Sequence, residues 1–230
     1  MKITAQVPNV LTLCNLLSGV LGIIWVLNGQ VSYGAYFVLI SAGFDFFDGF
    51  AARLLKVQSS LGKELDSLAD AVSFGVLPGI ILYALTKLHT ESLWLPYLTL
   101  IVPLLSAYRL AKFNLDTRQT DRFIGLPTPA NALLLSTLPH LVLLWPSLET
   151  WIYTPAGLIG IAWICSLLLV AELPLIALKF KDFTFAGNKF RYSLLLLSAG
   201  SFAAFQLAGI PLVILAYLVL SFLENLTAKE

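Results

Sequence analysis

The chain has 230 residues, of which 58% are hydrophobic and only 12% are charged, and its formal net charge is +1. Soluble domains are typically about 45–50% apolar and about 25% charged, so this composition excludes an ordinary soluble fold, and its hydrophobicity also excludes a disordered chain. The near-neutral charge gives no indication of a nucleic-acid partner, and the composition therefore predicts an integral membrane protein.

Eight apolar segments along the chain are candidates for membrane-spanning helices, each of which needs about 20 mostly apolar residues. They predict an all-α fold, a polytopic transmembrane helix bundle that forms one domain over residues 1–230. Only Gly209–Pro211 separates the last two segments, which indicates a helical hairpin over residues 193–225. The predicted spans are Leu11–Leu27, Tyr33–Leu54, Leu65–Leu85, Trp94–Leu115, Ala130–Trp145, Pro155–Val170, Ser193–Ala208 and Pro211–Leu223.

The basic residues predict how this bundle lies in the membrane. With the N-terminus in the cytoplasm, 13 of the 14 Lys and Arg residues fall on the cytoplasmic side, and only Lys87 falls outside. Cytoplasmic loops of membrane proteins carry such an excess of Lys and Arg. We therefore expect a multi-pass protein of the cell membrane with both termini in the cytoplasm.

Four acids lie inside the second and third predicted spans, where charges are costly and usually functional. Asp45 and Asp48 have i,i+3 spacing, and Asp66 and Asp70 have i,i+4 spacing, so each pair lies on one helix face. Asp45 lies eight residues before Arg53, and Asp70 lies eight residues after Gly62, so each acid is about 12 Å from the cytoplasmic end of its helix. Because neighbouring spans run antiparallel, all four carboxylates are expected at one level near the cytoplasmic face.

Four carboxylates at one place need counter-charge, and oxygen ligands favour the hard cations Mg²⁺, Mn²⁺ or Ca²⁺. His89 and His140 fall elsewhere in the chain, which argues against zinc. Four carboxylates suit two cations better than one, and paired metals typically serve phosphoryl chemistry. The sequence thus indicates a two-metal site of the kind used in phosphoryl transfer.

Two other interpretations of the four acids remain open. They could form ion pairs between helices, although Arg53 is the only basic residue well placed to join them. They could also bind a transported cation or proton. Transporters often contain inverted repeats, but the acids of the later half, such as Glu172 and Glu224, are scattered.

The residues around the acids form one pattern, Asp45-x2-Asp48-Gly49-x2-Ala52-Arg53-x8-Gly62-x3-Asp66-x3-Asp70. All eight positions resemble the signature of the CDP-alcohol phosphatidyltransferases, which move a phosphatidyl or related group from a CDP-linked lipid to an alcohol and release CMP. The resemblance implies a six-helix family core, here extended by the C-terminal hairpin, and a homodimer.

The same resemblance implies a role for each acid. Asp45, Asp48 and Asp66 would bind metal, with Asp45 and Asp66 bridging two ions, Mg²⁺ or Mn²⁺, with Ca²⁺ as a further option. Asp70 would bind the second ion and act as the general base toward the acceptor hydroxyl. We expect direct attack of the acceptor on the lipid-linked phosphorus, and a carboxylate intermediate stays open.

The resemblance also indicates which residues contact the CDP-linked lipid. Arg53 would bind the diphosphate, for which its planar guanidinium is suited. Gly49 allows a ligand to approach the backbone closely, and Gly62 leaves room above the acids. The predicted CDP-lipid-binding residues are Asn9, Thr12, Gly49, Ala52, Arg53, Ser59 and Gly62.

Four further stretches between residues 8 and 130 resemble the members of the family that use L-serine as acceptor, namely Pro8–Asn15, Asp66–Gly75, Tyr108–Asn114 and Gly125–Ala130. The resemblance implies transfer from CDP-diacylglycerol to serine, and glycerol phosphate, inositol phosphate or choline are the alternative acceptors. Arg109 and Asn114 lie at about the depth of the site and are candidates for binding serine. The alternative for Arg109 is an anchor that reaches the membrane surface.

Overall fold

The computed structural model describes residues 6–57, 59–116, 123–176 and 185–227, and almost all of its regular structure is helical. This confirms the predicted all-α membrane bundle. Two short strands, β1 (Phe123–Ile124) and β2 (Pro174–Leu175), form a single antiparallel pair. The helices are α1 Val7–Leu27, α2 Gly34–Leu55, α3 Ser60–Asp70, α4 Leu77–Leu88, α5 Ile101–Leu115, α6 Thr128–Ser136, α7 Leu138–Leu144, α8 Glu149–Ile152, α9 Pro155–Val170, α10 Phe185–Phe205 and α11 Gly209–Thr227.

The described helices include five apolar stretches long enough to cross a membrane, and the first four correspond to the first four predicted spans. The predicted fifth span contains α6 and α7, and the chain then bends by 117° at a break before Pro146. Helix α9 has the predicted bounds, but its 16 residues extend only about 24 Å, less than the hydrocarbon thickness of about 30 Å. The number of eight spans therefore stays a prediction.

The fifth long apolar stretch, Asn188–Thr227, contains both C-terminal helices. The two helices fold back on each other. Nη1 of Arg191 near the start of α10 lies 3.1 Å from Oε1 of Glu224 near the end of α11. The chain reverses around Gln206, whose φ of 50° lies in the left-handed region. The structure thus has a helical hairpin where the sequence predicts one.

The basic residues that predict orientation are only partly described. Of the described ones, Arg53, Lys56, Lys63 and Lys112 lie at helix ends on one side of the bundle, while Lys87 lies at the opposite end of α4. The cytoplasmic placement of the termini stays a prediction. Six further basic residues lie outside the described residues, namely Lys2, Arg118, Arg122, Lys179, Lys181 and Lys229.

Helix α1 presents small and polar side chains to the protein and large apolar ones outward. Gly22 lies against Phe37 of α2 and Leu77 of α4, where a Cβ would come within 2.7 Å of both side chains. In a bilayer the exposed apolar side chains contact lipid, and small residues let helices approach closely. The outward-facing side chains include Val10, Leu13, Leu17, Leu21 and Ile24.

Helices α3 and α4 form one continuous rod through a π-helical turn, Ala71–Val76. This turn begins directly after Asp70. Single π-helical turns inside α-helices are rare and occur frequently at functional sites. The backbone therefore has an unusual helical geometry directly after the last of the four acids.

Candidate metal centre and adjoining cavity

Three of the four acids come together between α2 and α3. Each of Asp45, Asp48 and Asp66, called the acid triad below, offers a carboxylate oxygen, and these oxygens all lie within 4.8 Å of one another. The connection between the helices is well defined at both ends. Lys56 ends α2 in the left-handed conformation, and the Ser59 hydroxyl caps α3 by accepting a 3.0 Å hydrogen bond from the Gly62 amide.

The acid triad has the donor set that a hard divalent cation requires. Oδ1 of Asp66 is buried and has no hydrogen-bond partner among the described residues, so a positively charged ligand would satisfy it. Within the described part of the chain, none of the four acids forms an ion pair with Lys or Arg. This does not support the interpretation as ion pairs between helices, and the residues present fit a bound metal.

Asp70 lies one helical turn beyond Asp66 and is only 8% exposed. It is not one of the three acids whose oxygens all lie within 4.8 Å, so its role as a metal ligand stays a prediction. Its Oδ1 accepts a 3.0 Å hydrogen bond from Nδ2 of Asn15 on α1. No role is predicted for Asn15 from the sequence, although the residue belongs to the Pro8–Asn15 stretch and lies three residues from Thr12 on one helix face.

A cavity of about 500 Å³ adjoins the acid triad at one end of the bundle. It is formed by the first turns of α1, the last turns of α2 and the first turns of α3. Six of the seven residues predicted to bind a CDP-linked lipid line it. The lining residues are Pro8, Asn9, Thr12, Asp48, Gly49, Ala52, Val57, Ser59, Ser60, Gly62, Lys63 and Asp66.

Arg53 is the seventh predicted residue, and it does not line the cavity. Its side chain is exposed, and a Cβ placed on Gly49 would lie 3.6 Å from Nη1 of Arg53. The guanidinium therefore lies over Gly49, beside a wall of the cavity. Lys63, which sequence reasoning did not select, lines the cavity, and its Nζ donates a 3.1 Å hydrogen bond to the Asn114 carbonyl.

Arg109 and Asn114, the two candidates for binding serine, lie in separate environments. Arg109 is only 6% exposed, and its Nε donates a 3.1 Å hydrogen bond to the Leu126 carbonyl, so it is not an anchor at the membrane surface. Nδ2 of Asn114 donates a 2.7 Å hydrogen bond to the hydroxyl of Ser67, the neighbour of Asp66. The contact of Asn114 thus joins α5 to the helix that carries the acids.

Arg109 also holds the turn that begins at β1. Besides the bond to Leu126, its Nη2 lies 3.5 Å from the Ile124 carbonyl, and its guanidinium lies over the Phe113 ring at 5.2 Å. Gly125 between these two carbonyls has a φ of 76°, a conformation that other residues rarely adopt. The arginine therefore has a structural role at the entry to α6, whatever else it binds.

The sequence of this chain is similar to those of known enzymes. Residues 5–180 match the family model described as CDP-alcohol phosphatidyltransferase. The chain is 36% identical over 127 residues to a protein of Bacillus subtilis named CDP-diacylglycerol–serine O-phosphatidyltransferase, an alignment covering 54% of this chain and 69% of that protein. A protein of Helicobacter pylori strain J99 with the same name is 36% identical over 129 residues, 55% of this chain and 54% of its own length.

A third relative comes from an archaeon. The archaetidylserine synthase of Methanothermobacter thermautotrophicus is 33% identical over 144 residues, which are 59% of this chain and 59% of that protein. The chain thus spans 54% to 69% of the length of these three relatives. All three names refer to transfer onto serine or to a serine-containing lipid.

Proposed function

This chain belongs to the CDP-alcohol phosphatidyltransferase family, and from that premise we propose that it is a CDP-diacylglycerol–serine O-phosphatidyltransferase. The serine hydroxyl oxygen would form a bond to the lipid-linked phosphorus, and the bond from that phosphorus to CMP would break. The products are phosphatidylserine and CMP. The observation that carries the proposal is the acid triad beside a cavity lined by six of the predicted lipid-binding residues.

The proposed cofactors are two divalent cations, Mg²⁺ or Mn²⁺, with Ca²⁺ also able to bind such oxygen ligands. The acid triad and Asp70 would hold them. When bound, such ions supply the positive charge that neutralises the diphosphate and the leaving CMP. The orphaned Oδ1 of Asp66 supports this assignment, because it requires a partner that no described side chain supplies.

The remaining chemistry falls to residues of the chain itself. Asp70 would accept the proton of the serine hydroxyl, since an alcohol is a poor nucleophile at neutral pH. Arg53 would bind the diphosphate, and Gly49 would let the lipid-linked nucleotide approach the backbone of α2. Asp70 is buried, and Asn15 donates a hydrogen bond to its carboxylate.

Serine as the acceptor is supported by the names of the relatives, and Arg109 and Asn114 stay its proposed binding residues. Arg109 carries a charge that suits the serine carboxylate, and Asn114 lies one hydrogen bond from the helix of Asp66. The match to an enzyme family argues against the transporter that the acids also allowed. Glycerol phosphate, inositol phosphate and choline remain the acceptors to be compared with serine.

An acceptor panel tests the proposed function. Purified protein in detergent with Mg²⁺ or Mn²⁺ should release CMP from CDP-diacylglycerol when L-serine is added, and an Asp66→Asn variant should not. Release with another alcohol, but not with serine, would replace the proposed acceptor. If labelled CMP exchanges into CDP-diacylglycerol without any acceptor, the proposed direct attack is wrong. The reaction would then pass through an intermediate on a carboxylate of the enzyme.

The placement in the membrane is part of the proposal. Both termini would lie in the cytoplasm, and the cavity would open toward the cytoplasmic face, where serine is available. Reporter fusions at each terminus and after Lys87 test this. A reporter that is active on the outside when fused to either terminus would contradict the proposed orientation.

A further inference from the structure

Asn15 makes one contact to Asp70 and two contacts that fix its own backbone. Its carbonyl accepts a 3.2 Å hydrogen bond from the hydroxyl of Ser41 on α2 and a 3.0 Å hydrogen bond from the hydroxyl of Ser73. Ser73 belongs to the π-helical turn that follows Asp70. A single residue of α1 is therefore bonded to α2, to the π-helical turn and to the carboxylate of Asp70.

The packing around Asn15 leaves its position little freedom. Asn15 is completely buried, as are Ser41 and Ser73. One turn further along α1, a Cβ added to Gly19 would lie 2.5 Å from the Ser73 hydroxyl oxygen. Only a glycine at that position lets the π-helical turn come close enough for Ser73 to reach the Asn15 carbonyl.

The side chain of Asn15 is not explained by stability alone. Its Oδ1 is buried without a hydrogen-bond partner among the described residues, and an unsatisfied buried amide oxygen is destabilising. An apolar residue at this position would avoid that cost. The amide donor that faces Asp70 is therefore the feature that accounts for an asparagine here.

We propose that Asn15 is a positioning residue for Asp70, held in place by the hydroxyls of Ser41 and Ser73. The inference rests on the proposed function, in which Asp70 is the general base. The Asn15 amide occupies Oδ1 of Asp70 and so fixes the plane of the carboxylate, which leaves Oδ2 for the acceptor hydroxyl. Orientation of the base, rather than binding of the lipid, is what Asn15 contributes.

The test compares two sets of variants with a matched control. Asn15→Leu removes the amide donor, and the double variant Ser41→Ala/Ser73→Ala leaves Asn15 in place but releases its backbone. Ser18→Ala is the control, because Ser18 is also buried on α1 and its hydroxyl donates a 3.0 Å hydrogen bond to the Phe37 carbonyl of α2. The measurements are kcat, KM for each substrate and the thermal midpoint in detergent.

We expect Asn15→Leu to lower kcat by roughly tenfold or more while KM for CDP-diacylglycerol stays within about twofold of wild type. The double variant should lower kcat in the same way. If Asn15→Leu does not fold, the kcat of the double variant tests the positioning role. Ser18→Ala should keep the wild-type kcat. Such a split between kcat and KM is not expected from a general loss of helix packing.

The outcomes separate this inference from the proposed function. A wild type that releases no CMP with serine or with any other alcohol of the acceptor panel would overturn both. A wild type that turns over, with an Asn15→Leu variant of unchanged kcat, would overturn the positioning role alone. An equal loss of kcat in Ser18→Ala would also overturn it, because any contact between α1 and α2 would then suffice.

Discussion

The hydroxyl of Thr12 donates a 2.6 Å hydrogen bond to Oδ2 of Asp48. Both residues are buried, and the bond joins α1 to α2 beside the cavity. Because Asp48 belongs to the acid triad, Thr12 fixes the orientation of a proposed metal ligand. Loss of a partner that orients a metal ligand typically lowers metal affinity or activity.

Thr12→Val removes this hydrogen bond with little change in shape. We expect the Mg²⁺ concentration for half-maximal CMP release to rise, or the activity to fall, by roughly 10- to 100-fold. Thr12→Ser keeps the hydroxyl and is the matched control. An equal effect in Thr12→Ser would show that the methyl group, and not the hydrogen bond, matters.

Asp70→Asn should abolish turnover, because an amide cannot accept the proton of the serine hydroxyl. Binding of CDP-diacylglycerol should be partly retained, since the acid triad is unchanged. A thermal-shift titration with the lipid measures binding, and CMP release measures turnover. Near-normal activity of the variant would exclude Asp70 as the base.

Removal of divalent cations should stop CMP release completely. Addition of Mg²⁺ or Mn²⁺ should restore it, whereas Zn²⁺ should not, because the site offers carboxylate oxygens and neither His nor Cys. The measurement is the initial rate after chelation and stepwise return of each metal. Undiminished activity in the presence of an effective chelator would contradict the proposed cofactors.

Arg109→Ala should raise KM for serine more than KM for CDP-diacylglycerol. The variant should also unfold at a lower temperature, because the carbonyls of Leu126 and Ile124 lose their donor. Measuring both KM values and the thermal midpoint separates the two roles. A lower midpoint with equal changes in the two KM values would leave Arg109 as a structural residue only.

Gly125→Ala should be more destabilising than Gly29→Ala, although both glycines have positive φ, 76° and 87°. A Cβ on Gly125 would lie 2.6 Å from the Leu169 carbonyl oxygen, while a Cβ on Gly29 meets nothing within 4 Å. Gly29→Ala therefore lowers the free energy of unfolding only through backbone strain, by about 1–3 kcal/mol. The measurement is the thermal midpoint of each variant in detergent. Equal midpoints of the two variants would contradict the predicted clash at Gly125.

The local features of this protein could be predicted from its sequence. The i,i+3 and i,i+4 spacings of the acids fix their helix faces, and Asp45, Asp48 and Asp66 meet as expected. The first four spans followed from apolar length alone. The bend of 117° before Pro146 falls where the predicted fifth span ends, at Trp145, although an apolar run does not indicate the direction that the chain takes afterwards.

The contacts that depend on folding were beyond the sequence. Asn15 is polar and lies in an apolar span, but only the approach of α3 shows that it faces Asp70. Arg109 has the position of a surface anchor, yet the chain after β1 folds back to cover it. Packing between segments that are distant in the sequence determines which side chains pair across helices. The spacing of residues along one helix does not carry this information.

The cavity opens at only one end of the bundle, where α1 and α3 begin and α2 ends. Under the proposed function, the precursor lipid and the product lipid would therefore occupy the same leaflet. The enzyme would add its product to that half of the bilayer. An even distribution of that lipid between the two leaflets would depend on a separate flippase or scramblase.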